Sequence, residues 1–190
     1  NGYLSSYGLK KISLKDYQNN FCFPVSQYYK RLGFHLSENE FKLLSSDFIA
    51  KYRAVMFRPK MKKGIHTILN YLKKNNCDQL VLSAQEQSLL NLSVSHYGLE
   101  GYFGGVFGLD NTLAASKTML AHSCLNPFIS NKQKIVFIGD TVHDFEVASS
   151  VGASCCLVSW GHNSYPRLAE TKQFVAKKSS DLFSFFKKIL

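Results

Sequence analysis

The chain has 190 residues, 45% of them hydrophobic and 19% charged, a composition that describes an ordinary globular protein and excludes a disordered one. Lys and Arg outnumber Asp and Glu by 23 to 13, a formal charge of +10. The lysines are scattered in pairs such as Lys62-Lys63 and Lys177-Lys178, so a solvated surface that attracts small anions is expected rather than a nucleic-acid interface. No apolar run approaches the ~18 residues of a membrane span.

The amino end shows no basic segment followed by an apolar one, so no secretory signal is read there. Tyr3, Leu4 and Tyr7 share one helical face that starts abruptly, and a segment preceding Asn1 is expected. Ser13 can cap a helix beginning near Leu14. Pro24 suits the first turn of the next helix, Val25 to Leu32, with Gly33 just past its end. Ser37-Glu38-Asn39-Glu40 is a capping-box pattern opening a helix to about Ala54, and Arg58-Pro59 breaks it. Phe21, Phe23, Tyr28, Tyr29 and Phe41 read as the core of this all-helical region, with one or two free to line a cleft beneath it.

From about residue 60 the pattern alternates. Helices are expected at 64–75, 85–97, 116–124, 144–151, 164–171 and 181–189, and strands at 79–83, 105–107, 134–138, 155–159 and 173–175. Such alternation predicts an α/β fold: a Rossmann-like parallel sheet with helices on both faces. The expected organisation is a small helical cap, residues 1–58, followed by an α/β core, residues 59–190.

The five cysteines are odd in number and show no C-x-x-C spacing, so neither a disulfide framework nor a zinc site is indicated. Cys155 and Cys156 read as small core residues, and a reducing, cytoplasmic setting is expected.

The most informative run is Ile135-Val136-Phe137-Ile138-Gly139-Asp140-Thr141-Val142-His143-Asp144. A fully apolar strand ends at Gly139, which permits a sharp turn, and two carboxylates follow. Open α/β sheets bind ligands at this carboxyl edge. Oxygen-only ligands suit Mg²⁺, which takes one or two carboxylates together with substrate phosphate and water. Ser83 ends the strand Leu80-Val81-Leu82, and its hydroxyl with the following backbone N–H at Ala84 can grip a phosphate oxygen. Lys117, at the start of a helix, can clamp phosphate charge and neutralise a nearby carboxylate. His143 lies between the two aspartates and reads as a first-turn residue pointing aside; as a ligand it would favour a transition metal. His162 follows Trp160-Gly161 after a strand; a place bordering the site on the same sheet edge is the lesser of its two readings, an ordinary loop residue the greater.

In the order Ser83, Lys117, Asp140-x-x-x-Asp144, the chain resembles the haloacid dehalogenase-like hydrolases, and among them the phosphoglycolate-phosphatase-like branch with a helical cap. Leu82-Ser83-Ala84 resembles that family's second motif, Lys117 its third, and Gly139-Asp140-Thr141-x-x-Asp144 its fourth. Leu99-Glu100-Gly101-Tyr102-Phe103 and Val106-Phe107-Gly108-Leu109-Asp110 resemble the run leading to the family's lysine. The resemblance implies a Mg²⁺-dependent phosphatase acting on a small phosphorylated metabolite, with Ser83, Ala84 and Lys117 on the phosphate and Asp140 and Asp144 at the metal. It also implies an aspartyl-phosphate intermediate. The family's first motif, an Asp-x-(Asp/Asn) cluster carrying the nucleophile, does not occur in the chain. The resemblance places that motif upstream of Asn1, on a strand lying between those of Leu80 and Val136, so the first core strand is expected to be missing.

A dehalogenase on the same scaffold needs no seat for Mg²⁺, which the paired aspartates argue against. A signalling receiver domain carries its acidic pair first and its lysine last, the reverse of the order here. A binding protein that kept the fold and lost the reaction is the alternative from another class.

Overall fold

A computed structural model describes residues 1–109 and 117–190. The expected start of a helix at Ser116, and Asp110 at the end of the run after Val106, lie outside the described residues.

Four helices come first: α1 (Gly2–Ser6), α2 (Leu14–Asn20), α3 (Val25–Arg31) and α4 (Glu38–Arg53). The start signals work as their chemistry predicts. Ser13 accepts from the Asp16 N–H while Asp16 returns a bond to the Ser13 N–H, and Ser37 and Glu40 do the same for α4. Gly33 follows α3 at a φ of +94°, a conformation that costs glycine little. Leu4, Phe34 and Leu44 form a small core of their own among these helices. Phe21 and Tyr28 are also buried, as expected of cap aromatics.

Alternation then begins. Helix α5 (Ile65–Lys74) leads to β1 (Leu80–Glu86), α6 (Gln87–His96), a 3-10 turn at Glu100–Tyr102, and β2 (Gly105–Leu109). Then come α7 (Lys117–Ser130), β3 (Val136–Gly139), α8 (Val142–Ser150) and β4 (Ser154–Val158). The chain finishes with α9 (Tyr165–Ala169), β5 (Phe174–Ala176) and α10 (Ser179–Ile189). All strand pairings are parallel. The strand β4 shows why this region must be layered. Cys155 and Leu157 face α8 and α9, whereas Cys156 and Val158 face α5 and α10, and all four are buried.

Two expectations need correction. The first strand does not end at Ser83. It runs to Glu86, with regular pairing from Leu80–Gly105 to Leu82–Phe107, an irregularity, and a final pair Glu86–Leu109. Ser83 therefore sits within a bulge, and α6 starts two residues later than expected. Helix α7 likewise does not stop at Cys124 but continues through Pro127 to Ser130. Leu125 and Phe128 pack against α8 residues there, and that burial outweighs the one backbone bond a proline removes.

The strands form two sheets, β1-β2 and β3-β4-β5. Among the described residues, β1 has a neighbour on one side only, and so has β3. Yet Leu80 and Leu82 of β1, Phe137 of β3 and the preceding Ile135 pack against one shared cluster, Ala121 and Leu125 of α7, Val147 of α8 and Val151 at its end. A single helical layer thus spans both sheets, while two strand edges beneath it have no strand partner among the described residues. Ile138, in the middle of an apolar strand, is 38% exposed, as expected beside an open edge.

Candidate active site

The site is built where β3 ends. Thr141 caps α8, accepting from the Asp144 N–H at 3.1 Å. Asp144 completes the box: its Oδ2 accepts from the N–H of Asp140 (2.9 Å), the N–H of Thr141 (2.9 Å) and the Thr141 hydroxyl (2.7 Å). Its other oxygen, Oδ1, takes the ammonium of Lys117, which α7 delivers from its first residue. Burial opposes ionisation of Asp144. The Lys117 ammonium, the Thr141 hydroxyl and the backbone N–H outweigh that effect and hold the carboxyl below the ordinary carboxylate range. Asp144 is only 3% exposed, so the pair sits in a weakly screened environment.

Asp140 is half-buried and differently engaged. Its Oδ2 accepts from the backbone N–H of His162 at 2.6 Å, and its carbonyl accepts from the Asn163 N–H at 3.1 Å. Among the described residues, no hydrogen bond is made to its Oδ1. Each aspartate lies against a glycine. A Cβ on Gly139 would collide with the Asp144 side chain, and a Cβ on Gly161 would collide with the Asp140 carboxylate. Glycine is needed at both positions for close approach.

Asn163, 1% exposed, ties this loop to the helical region. Its Oδ1 accepts from the Val142 N–H (3.0 Å) and its Nδ2 donates to the Phe21 carbonyl (3.1 Å). Gln18 Nε2 donates to the Gly161 carbonyl (3.0 Å), and the Ser164 N–H to the Gln18 carbonyl (3.1 Å). Arg167 donates to the carbonyls of Asn19 and Phe21. The end of α2 is therefore knitted to the loop beside Asp140. Tyr17 bonds the Nδ1 of His162, whose ring stacks on Phe21 with centroids 4.7 Å apart. Burial, with Tyr28 and Asp140 nearby, pushes the Tyr17 phenol up. His143 has its Nδ1 3.0 Å from Glu146 Oε2 and its ring against Phe23.

Of the residues singled out by sequence, Lys117, Asp140 and Asp144 come together. Ser83 and Ala84 share no hydrogen bond or ion pair with them. Ser83 Oγ accepts from the Gln85 N–H at 3.1 Å, which leaves its own proton free to donate. Sequence reasoning missed Thr141, Gly161 and Asn163. Gly161, three residues past the end of β4, was a usable signal for the second seat, because a glycine soon after a strand permits close approach of another chain segment. Asn163 offered none, because its partners come from residues 21 and 142.

The donor set bears on a divalent metal. Among the described residues no group of three or more His, Cys, Asp and Glu side chains is arranged to hold one. Asp140, with one oxygen open, fits a magnesium ion that takes a single protein carboxylate and completes its shell with phosphate oxygens and water.

Parallel strands, intervening helices and an acid-lysine cluster at a strand's carboxyl end define an α/β protein with its ligand site at the sheet edge. The sequence matches the family model of the haloacid dehalogenase-like hydrolases over residues 1–158, and the chain belongs to that family. No curated protein matches it. Its fold is similar to a haloacid dehalogenase-like family hydrolase from Streptococcus pneumoniae, at a TM-score of 0.79 and 17% identity, covering 96% of this chain and 86% of that one. A predicted phosphatase from Clostridium acetobutylicum is similar at 0.78 and 18%, with 97% and 87% covered. A predicted phosphoglycolate phosphatase from Haemophilus somnus is similar at 0.73 and 20%, with 98% and 88% covered. Among the described residues, no helix is long and apolar enough to cross a membrane.

Proposed function

We propose that the chain carries the phosphate- and metal-binding part of a phosphatase that hydrolyses a small phosphate monoester. The observation that carries this reading is the buried Lys117–Asp144 pair set directly beside Asp140, whose Oδ1 has no partner among the described residues. Similar folds described as phosphatases support it. The surplus of positive charge favours an anionic substrate.

In this reading Lys117 neutralises charge on the transferring phosphoryl group and holds it in place. Asp144 keeps the ammonium aimed and anchors α8; its oxygens are already engaged, so the direct seat for magnesium falls to Asp140. Magnesium, when bound, supplies polarisation of a phosphoryl oxygen. The Ser83 hydroxyl and the Ala84 N–H donate to the remaining phosphate oxygens, and the helices of 1–58 exclude bulk water and read the alcohol portion. The nucleophile is an aspartate outside these 190 residues, expected from a segment preceding Asn1. Its strand would run between β1 and β3 and pair with both free edges. The phosphoryl group would pass to that carboxylate, and water would then release it. The cysteine usage fits a reducing, cytoplasmic setting.

The test is Mg²⁺-dependent hydrolysis of an aryl phosphate by the protein including any segment encoded before Asn1, with Asp140→Asn as control. Turnover that is abolished by Asp140→Asn supports the reading. Turnover that survives the substitution undiminished removes the assigned site. Phosphate binding without turnover favours a non-catalytic binding protein on this scaffold.

A further inference from the structure

The imidazole of His162 is exposed, yet it is held more firmly than an exposed histidine needs to be. Its backbone N–H is fixed on Asp140 Oδ2 at 2.6 Å. Its ring is stacked on buried Phe21, with an interplanar angle of 25°, and meets Tyr17 edge-on at 5.8 Å. Its Nδ1 is bonded to the Tyr17 hydroxyl. The neighbouring Asn163 and Gln18 lock the same loop to α2. A side chain immobilised this way beside a candidate metal seat is arranged for contact with a ligand.

The hydrogen bond also bears on the tautomer. The Tyr17 hydroxyl has no other partner among the described residues, and we take it to donate to Nδ1. Nδ1 is then the acceptor, and in the neutral ring the proton sits on Nε2. Nε2 has no partner among the described residues, and the residue as a whole is exposed.

We propose that His162 is a specificity-determining residue of this site, its Nε2–H donating to an oxygen of the alcohol portion of the phosphate ester, and that Tyr17 is its positioning residue. This rests on the phosphatase reading above but adds to it a substrate class: a phosphate ester whose alcohol portion carries an oxygen acceptor within reach of His162. Inorganic phosphate lacks such a portion and does not use His162. Because α2 supplies Tyr17 and the loop after β4 supplies His162, the contact couples the helical region directly to the alcohol portion of the ligand.

The test compares glycerol 1-phosphate, which carries hydroxyl oxygens, with inorganic phosphate, by calorimetric titration in the presence of Mg²⁺. His162→Phe keeps the ring and its stack but removes the donor. It is expected to weaken glycerol phosphate binding roughly fivefold, the value of one neutral hydrogen bond, and to leave phosphate binding unchanged. A second readout concerns Tyr17. Nitrogen NMR of the imidazole at a pH of about 8, alkaline of the ordinary histidine range, is expected to show the proton on Nε2 in the native protein and a mixture of tautomers in Tyr17→Phe. A purely packing role for Tyr17 leaves the tautomer unmoved, and that result overturns its part. Equal affinities of native and His162→Phe protein for glycerol phosphate overturn the role of His162, as do equal losses for both ligands. Native protein that binds neither ligand removes the phosphate site itself, and this proposal with it.

Discussion

The ammonium of Lys117, the first residue of α7, is paired with Oδ1 of Asp144, the third residue of α8. The pair joins the helix that follows β2 to the one that follows β3, across the place where the sheet is divided. Two helices that share no strand pairing are thereby held by one buried charge contact and one apolar cluster.

Removing the cation strands a buried carboxylate. Lys117→Met is expected to destabilise the protein by about 3 kcal/mol near neutral pH, measured by urea unfolding. The loss shrinks as pH falls, because the unpaired Asp144 carboxyl then has a raised pKa and protonates readily. In the native protein the sign is opposite. The carboxyl is held below its ordinary value, so its contribution is complete above the unfolded-state pKa near ~3.9 and is lost only as pH falls through the lower folded value. A loss in Lys117→Met that is independent of pH contradicts the pairing.

The glycine seats can be filled separately. Gly161→Ala pushes the Asp140 carboxylate off its place, so Mg²⁺-dependent phosphate binding is expected to fall at least tenfold while the fold persists. Gly139→Ala meets the Asp144 side chain, including Oδ2 at 2.6 Å, and is expected to cost roughly 1–3 kcal/mol of stability from overpacking. Calorimetric titration and urea unfolding separate the two effects.

Asn163→Ala leaves the Val142 N–H without its partner in a buried loop and removes one of the two donors to the Phe21 carbonyl, Arg167 remaining. The expected loss is roughly 2–3 kcal/mol. Hydrogen exchange should also quicken at Val142, whose N–H bonds Asn163 rather than the helix ladder. Unchanged exchange there contradicts the role assigned to Asn163.

The cysteines divide by burial. Cys155 and Cys156 are buried, and desolvation pushes both thiols up to about 12. Native-state alkylation at about pH 8, near the ordinary thiol range, is expected to modify Cys22 and Cys77 and to spare this pair. Modification of Cys155 at a rate similar to Cys22 would show that β4 is not the closed centre of the core.

Much of this was readable in advance, for identifiable reasons. Ser13 and Ser37 announce their helices because each cap is completed within four residues. The alternating apolar runs around β3 and β4 require helices on both faces whatever surrounds them. The aspartates and Lys117 were legible because each follows a recognisable change of element. The continuation of β1 past Ser83 was not legible, since it depends on pairing of Glu86 with Leu109. Nor was the extent of α7, where packing of Leu125 and Phe128 overrides Pro127. The seating of Asp140 on Gly161, and the tie of Asn163 to Phe21, are contacts between distant parts of the chain that no local pattern encodes.

The most direct measurement is calorimetric titration of inorganic phosphate into this 190-residue chain with and without Mg²⁺, repeated for Lys117→Met and Asp140→Asn. Phosphate binding that requires Mg²⁺ and is lost in both variants is the predicted result. Phosphate binding indifferent to Mg²⁺ and to both substitutions contradicts the account, because the acid-lysine cluster after β3 would then not be where the anion is held.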